Sequence, residues 1–329
     1  MKSIYLLFLS TLLTLTSFAH NEPWTASRPD GHAPITVMGD HMHAMGEWMV
    51  SYRYMTMEME NLLKGSDSVS PAGAGFMNQN MLPKEMTMDM HMFGAMHAIS
   101  DQWTLMCMLN YLDNEMTMQN GDKMETSGLG DLKIGGLYDL ARWEDGRRAH
   151  LSLGLSAPTG SIDEKSGANT VGYGMQLGSG TWDFHPAITY LGQTENYSYG
   201  AQLGGVLRIG DNDQGYTLGN QVEAMVWGAR KITDSLSASV KIDHTCQEEV
   251  DGSHKGIPTG RRDMSPSNHP AHQGRDLTSV GLGLNYYFQS GSLKGHRFAA
   301  EWETPIHQKV NGVQLELDSS WTLGWQYAW

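Results

Sequence analysis

After residue 18 the 329-residue chain holds no apolar run approaching the roughly 20 residues that a membrane-crossing helix needs, so helical spans are excluded. Basic residues are also scarce: 22 Lys and Arg stand against 36 Asp and Glu, for a formal charge of −14. That balance leaves no nucleic acid among the expected partners, because binding it takes clustered cations that neutralise phosphates. Cysteine is nearly absent. Cys107 and Cys246 lie far apart, both at apolar-parity positions of predicted strands, and read as unpaired. No zinc-type Cys/His spacing, HExxH or P-loop occurs, and Gly154-Leu155-Ser156-Ala157-Pro158 lacks the second glycine of a nucleophile elbow. What the chain has instead is 38 glycines, 13 tyrosines and 10 tryptophans against 11 prolines, which suits many strands, many turns and aromatic girdles.

The two ends set the compartment. Met1-Lys2-Ser3, an apolar stretch to Phe18 and the small-x-small Ser17-Phe18-Ala19 predict a signal peptide over 1–19. At the other end Trp321, Leu323, Trp325, Tyr327 and Trp329 alternate with Thr322, Gly324, Gln326 and Ala328. In a strand these two sets face opposite sides, giving one apolar wall surface and one small or polar surface. That pattern fits a strand with lipid outside and water inside.

Period-two alternation between turn signals yields twelve segments: 46–58, 85–98, 102–113, 128–141, 148–158, 179–191, 195–210, 217–230, 235–246, 275–289, 295–305 and 319–329. The connections between them alternate short and long, as in an antiparallel transmembrane β-barrel whose even strand count puts both termini in the periplasm. A soluble β-sandwich would not impose that alternation. The expected organisation is all-β: signal peptide 1–19, a periplasmic N-terminal segment 20–45, and a transmembrane barrel of about twelve strands over 46–329.

Strand polarity follows from charge, since an Arg or Lys facing mid-bilayer costs about 2–4 kcal/mol. The rule places Arg53, Asp89, His91, Lys133, Asp183, His185, Arg208, Glu223, Lys241, Asp243, Glu301 and Glu303 in the lumen. Ser156 and His150 join them, away from the lipid interface where a membrane hydrolase would work. Nineteen of the 23 methionines lie between Met38 and Met124. With Asp89 and His91 inside, Met86, Met88, Met90 and Met92 are expected to face lipid as ordinary apolar surface. The remaining soft donors, His41, His43, Met49, Met55, Met57, His91, Met106 and Met108, could instead form a copper path, because thioether and imidazole suit Cu(I). His254, His269 and His272 fall in a long Pro-containing stretch and read as a solvated external loop.

Several runs together resemble a known family. They are Met38-Gly39-Asp40-His41-Met42-His43, Gly46-Glu47-Trp48-Met49-Val50-Ser51-Tyr52-Arg53-Tyr54-Met55, Met90-His91-Met92-Phe93-Gly94, Gly128-Leu129-Gly130-Asp131, Ala157-Pro158-Thr159-Gly160-Ser161-Ile162, Gln176-Leu177-Gly178-Ser179-Gly180-Thr181 and Leu323-Gly324-Trp325-Gln326-Tyr327. They look like the transporter-type barrels named for the meta pathway of phenol degradation. Trp329 stands where the C-terminal signature of outer-membrane barrels more often has Phe. The resemblance implies an outer-membrane channel of a Gram-negative bacterium for small hydrophobic or aromatic solutes, without catalytic residues. It also implies outer-membrane lipid and the barrel assembly machinery as partners, the latter through the last strand. The methionine-rich members look like companions of copper resistance, which makes a copper-binding barrel the alternative, with an outer-membrane hydrolase behind it.

Overall fold

The computed structural model describes residues 24–329; the expected signal peptide 1–19 lies outside the described residues. The ring is built from β1 (Trp48–Gly65), β2 (Pro83–Ser100), β3 (Trp103–Met118), β4 (Leu132–Arg142), β5 (Arg148–Ala157), β6 (Trp182–Gln193), β7 (Tyr197–Ile209), β8 (Gln221–Lys231), β9 (Leu236–Gln247), β10 (Arg275–Tyr287) and β11 (His296–Ala328). Each pairs antiparallel with the next, and β11 closes onto β1.

β11 is a hairpin in one element. It turns at Asn311-Gly312, where Gly312 has φ +64°. Its first arm pairs with β10 from Arg297 to Val310, and its second pairs with β1 from Val313 to Ala328. The rings of Trp302 and Trp321 sit 6.5 Å apart across the arms. The eleven elements therefore make a twelve-stave wall, the count that alternation predicts. The stretch 306–318, expected as a loop, is strand: Asn-Gly is itself a tight-turn signal. Two short strands, Asp67–Val69 against β1 and Lys123–Leu129 against β3, extend the wall at the long-loop end.

Alternation is visible in exposure. Leu105, Ile134, Leu153, Ile188, Leu203, Val226, Ile242 and Leu282 are exposed on the outside, while Thr104, His150, Ser156, Thr189, Gln202 and Ser239 are buried inside. Outward aromatics bound this band. Trp103 packs on Tyr138 near the short turns, and Tyr54, His91 and Tyr111 share one register row at the other end.

That upper row corrects one expectation. Asp89 and His91 do not face the lumen: they are in register with Thr56 and Tyr54 on the outward face. The Tyr54 hydroxyl donates to Asp89 Oδ1 at 2.9 Å, and the Tyr52 hydroxyl lies 2.7 Å from His91 Nδ1. The rule that charge points inward holds only at hydrocarbon depth, and β1, β2 and β3 continue past the aromatic row. His91 joins that row, and Asp89 stands above it. A second correction concerns the segment around His254, which is packed rather than solvated: His254 is buried and its Nε2 donates to the Ile162 carbonyl at 2.8 Å.

The residues ahead of β1 do not lie outside the barrel. From Trp24 to Gly46 the chain enters the lumen at the short-turn end, and Ile35, Val37, Asp40, His41 and His43 are buried there.

Candidate functional site

Three features occupy the interior. The first is the plug itself, which is held by groups from opposite walls. Arg53 on β1 donates from Nε to the Ile35 carbonyl at 2.9 Å. Arg297 on β11 donates to the carbonyls of Pro29, Ala26 and Arg28, each at 2.8 Å. Gln202 on β7 reaches the Met38 carbonyl at 3.0 Å, and His150 on β5 donates to the Gly39 carbonyl at 2.8 Å. Irregular backbone has no ladder of its own, and these side chains supply what a buried segment needs. Gly324 makes room for the approach, since a Cβ there would sit 2.5 Å from the side chain of Ile35.

Beside the plug, one ammonium faces three carboxylates. Lys241 Nζ lies 2.7 Å from Glu303, 3.3 Å from Glu301 and 3.4 Å from Asp243. It also donates to Thr36 Oγ1 at 2.6 Å, and that hydroxyl in turn donates to Glu301 at 2.8 Å. Glu223 lies on the same wall in register with Thr245. A second charged group sits nearer the long loops. Asp183 is ion-paired with Arg208 and accepts from Thr181 Oγ1 at 2.7 Å, and Lys133 and Ser156 occupy the same register row. His185 follows on the next rung of β6, opposite Gly154. The inner charges thus form two clusters, one locked to the plug and one above it.

The third feature is a ladder of methionines, and it overturns the expected polarity of Met86, Met88, Met90 and Met92. Cross-strand partners share a face, and Met92 is in register with the buried Arg53. All four therefore turn inward. Reading across β1, β2 and β3 from the short-turn end, the rungs are Met49-Met96-Met106, Ser51-Gly94-Met108, Arg53-Met92-Asn110, Met55-Met90-Leu112, Met57-Met88-Asn114 and Met59-Met86-Met116. Every rung carries at least one thioether. Val171 and Met175, from the loop between β5 and β6, cover the top rungs.

The foot of the ladder meets a histidine cluster in the plug. The His43 amide donates to Thr104 Oγ1 on β3, one position below Met106 on the same face. His41 is the hub: its ring centroid lies 4.0 Å from that of His32 and 4.8 Å from that of His43. Ligand atoms of His32, Asp40 and His41 all fall within 4.8 Å of one another. Burial pushes His32 well below the usual imidazole range and lowers His43 as well. Burial alone would raise Asp40, yet the imidazoles of His41 and His32 hold its carboxyl well below the usual range. Of the soft donors expected from sequence, the structure brings together His41, His43, Met49, Met55, Met57, Met106 and Met108, and leaves His91 outside. His32 and the four inverted methionines were missed. No periodicity marks a plug, and the polarity rule was carried past the membrane edge.

The family model described as "Putative MetA-pathway of phenol degradation" matches residues 91–304, well over half of the chain. The chain belongs to that family. Among solved structures, this MetA-pathway protein is similar to the COG4313 outer membrane channel from Pseudomonas putida F1, with 13% identity, a TM-score of 0.66, and coverage of 90% of this chain and 100% of the other. The likeness is one of fold. Looser matches include the transport unit of the autotransporter AIDA-I from Escherichia coli, with 9% identity, a TM-score of 0.45, and coverage of 89% and 93%. A FadL homologue from Pseudomonas aeruginosa matches at 9% identity and TM-score 0.39, covering 86% and 89%. These two are too distant to carry an argument. No curated protein matches the chain.

Proposed function

We propose that the protein is an outer-membrane channel of a Gram-negative bacterium, both termini periplasmic, that admits small hydrophobic or aromatic solutes. The observation that carries this reading is the methionine ladder, a flexible stripe with a thioether on every rung down the inner wall of the barrel. Such a stripe would give an aromatic solute a surface of low polarity between the loop that covers the top rungs and the plug. The reading is supported by the family, and by the fold of the channel from Pseudomonas putida F1. Barrel assembly machinery would engage the final strand, whose outward Trp321, Leu323 and Trp329 are exposed. No catalytic role is assigned, because Ser156 and His150 stand on different rungs of β5, the one level with Asp183 and the other with Thr189.

The test is uptake of a labelled monoaromatic hydrocarbon by cells that express the full chain, beside cells that express a variant with Met55, Met57, Met88 and Met90 replaced by serine. Faster uptake with the unmodified chain, reduced in the variant, is expected. Uptake equal to that of cells lacking the barrel overturns the reading.

The same stripe favours one second reading, a path for a soft cation such as Cu(I), since thioether sulfur is a soft donor. Replacing the rungs with leucine keeps their apolar character but removes the donor. Aromatic uptake that survives leucine while copper accumulation falls would select the cation.

A further inference from the structure

The plug carries an arrangement that neither passage of a hydrophobic solute nor anchoring of the plug requires. Five imidazole nitrogens, His32 Nδ1 and both nitrogens of His41 and of His43, are buried without a hydrogen-bond partner. His41 and His43 are 1% and 3% exposed. Asp40 Oδ1 is 3.0 Å from His41 Nδ1 and Glu47 Oε2 is 3.3 Å from His43 Nδ1, but in neither case along a hydrogen-bonding direction. Leaving one buried polar atom unsatisfied costs about 1–3 kcal/mol. Three such rings packed on one another, beside a carboxylate, form a costly arrangement unless something else takes the lone pairs.

We infer that His32, Asp40 and His41, with His43 packed against His41, form a binding site for one divalent transition-metal ion, seated in the plug at the foot of the methionine ladder. The donor set decides the class of ion. Two imidazoles and one carboxylate are borderline donors that suit Cu(II), Ni(II) or Zn(II), and among these Cu(II) binds most tightly for a given set of ligands. Calcium and magnesium, which take oxygen, are excluded. The Asp40 carboxylate offsets part of the ion's charge. Arg297, whose charge reaches His32, is already committed to three backbone carbonyls. Asp40 is further fixed by the Ala33 amide, which donates to its Oδ2 at 2.9 Å, so the carboxylate is preset rather than recruited. The inference stands on these plug residues and not on what passes the lumen. It holds whether the ladder carries an aromatic or a soft cation.

The experiment uses the full refolded barrel, with its folded state checked by heat-modifiable mobility on gels. Cu(II) is added and its binding read by electron paramagnetic resonance and by competition with a chelator. One ion per barrel with nitrogen hyperfine structure is expected. His41→Gln should weaken binding by more than the roughly 100-fold that loss of an outer-shell partner costs. His32→Gln and His43→Gln should each weaken it at least tenfold. Copper that binds equally well to all three variants overturns the site. X-ray absorption on the unmodified barrel reads the ligands without any substitution. Two or more imidazoles support the assignment, and a thioether shell, a single imidazole or no bound metal overturns it. Zn(II) measured in parallel should compete for the same single ion position; Zn(II) that binds without displacing Cu(II) also counts against it.

Discussion

Among single residues, Lys241 has the most to lose. It is buried between Asp243, Glu301 and Glu303, and it ties the wall to Thr36 in the plug. Lys241→Met preserves the stem of the side chain and leaves three carboxylates facing one another at low exposure. Removing one partner of a buried charge group costs about 3–5 kcal/mol, so the variant should unfold at markedly lower urea concentration. A midpoint unchanged from the original protein would show that the carboxylates are hydrated or protonated and that the ammonium does not hold them. The inward placement of Arg53, Lys241 and Glu301 could be read from alternation, because each lies at bilayer depth where a charge has only one tolerable side. Asp89 could not be read this way. It sits above the outward aromatic row, where the same side chain meets water on either face.

Among elements, β11 carries the closure. Its second arm ends with reciprocal backbone bonds, Trp48 N to the Trp329 carbonyl and Trp329 N to the Trp48 carbonyl, both at 2.9 Å. In a barrel every backbone group must find its partner inside the wall, and an open seam leaves a row of them facing hydrocarbon. Removing Tyr327-Ala328-Trp329 should therefore leave a chain that never acquires heat-modifiable mobility. Normal mobility of the truncated protein would show that the remaining register, from Ser51 and Gln326 onward, suffices. The staves themselves were legible in the sequence because lipid outside and polar lumen inside impose period two on every one of them. The plug was not, since Trp24–Gly46 answers to neither period and is defined by long-range partners such as Ile35 with Arg53 and Gly39 with His150.

At the scale of the molecule the lumen is a closed system of wall, plug and cap. Arg53 and Arg297 grip the plug from one side of the wall, Gln202 and His150 from the other, and the network of Lys241 and Glu301 holds Thr36. Releasing two of these attachments should loosen the plug without unfolding the wall, because the ladders of β1 to β11 do not depend on them. Arg53→Ala, paired with Thr36→Val, is expected to raise single-channel conductance in planar bilayers several-fold and to make its level fluctuate. Conductance identical to that of the original barrel would mean that ions already pass around the plug.

The methionine ladder has a further consequence, one of chemistry over time. A thioether is readily oxidised to the sulfoxide, which converts a flexible apolar side chain into a polar one with a strong acceptor. A wall lined by leucine would keep its character indefinitely, whereas this wall records the oxidants that have entered it. The half-buried rungs around Met55, Met57, Met88 and Met90 would change first, and Met86 and Met116, sealed under Val171 and Met175, would change last. An oxidised stripe is no longer apolar and no longer soft, so the barrel would lose the property that distinguishes its lining while its fold stayed intact.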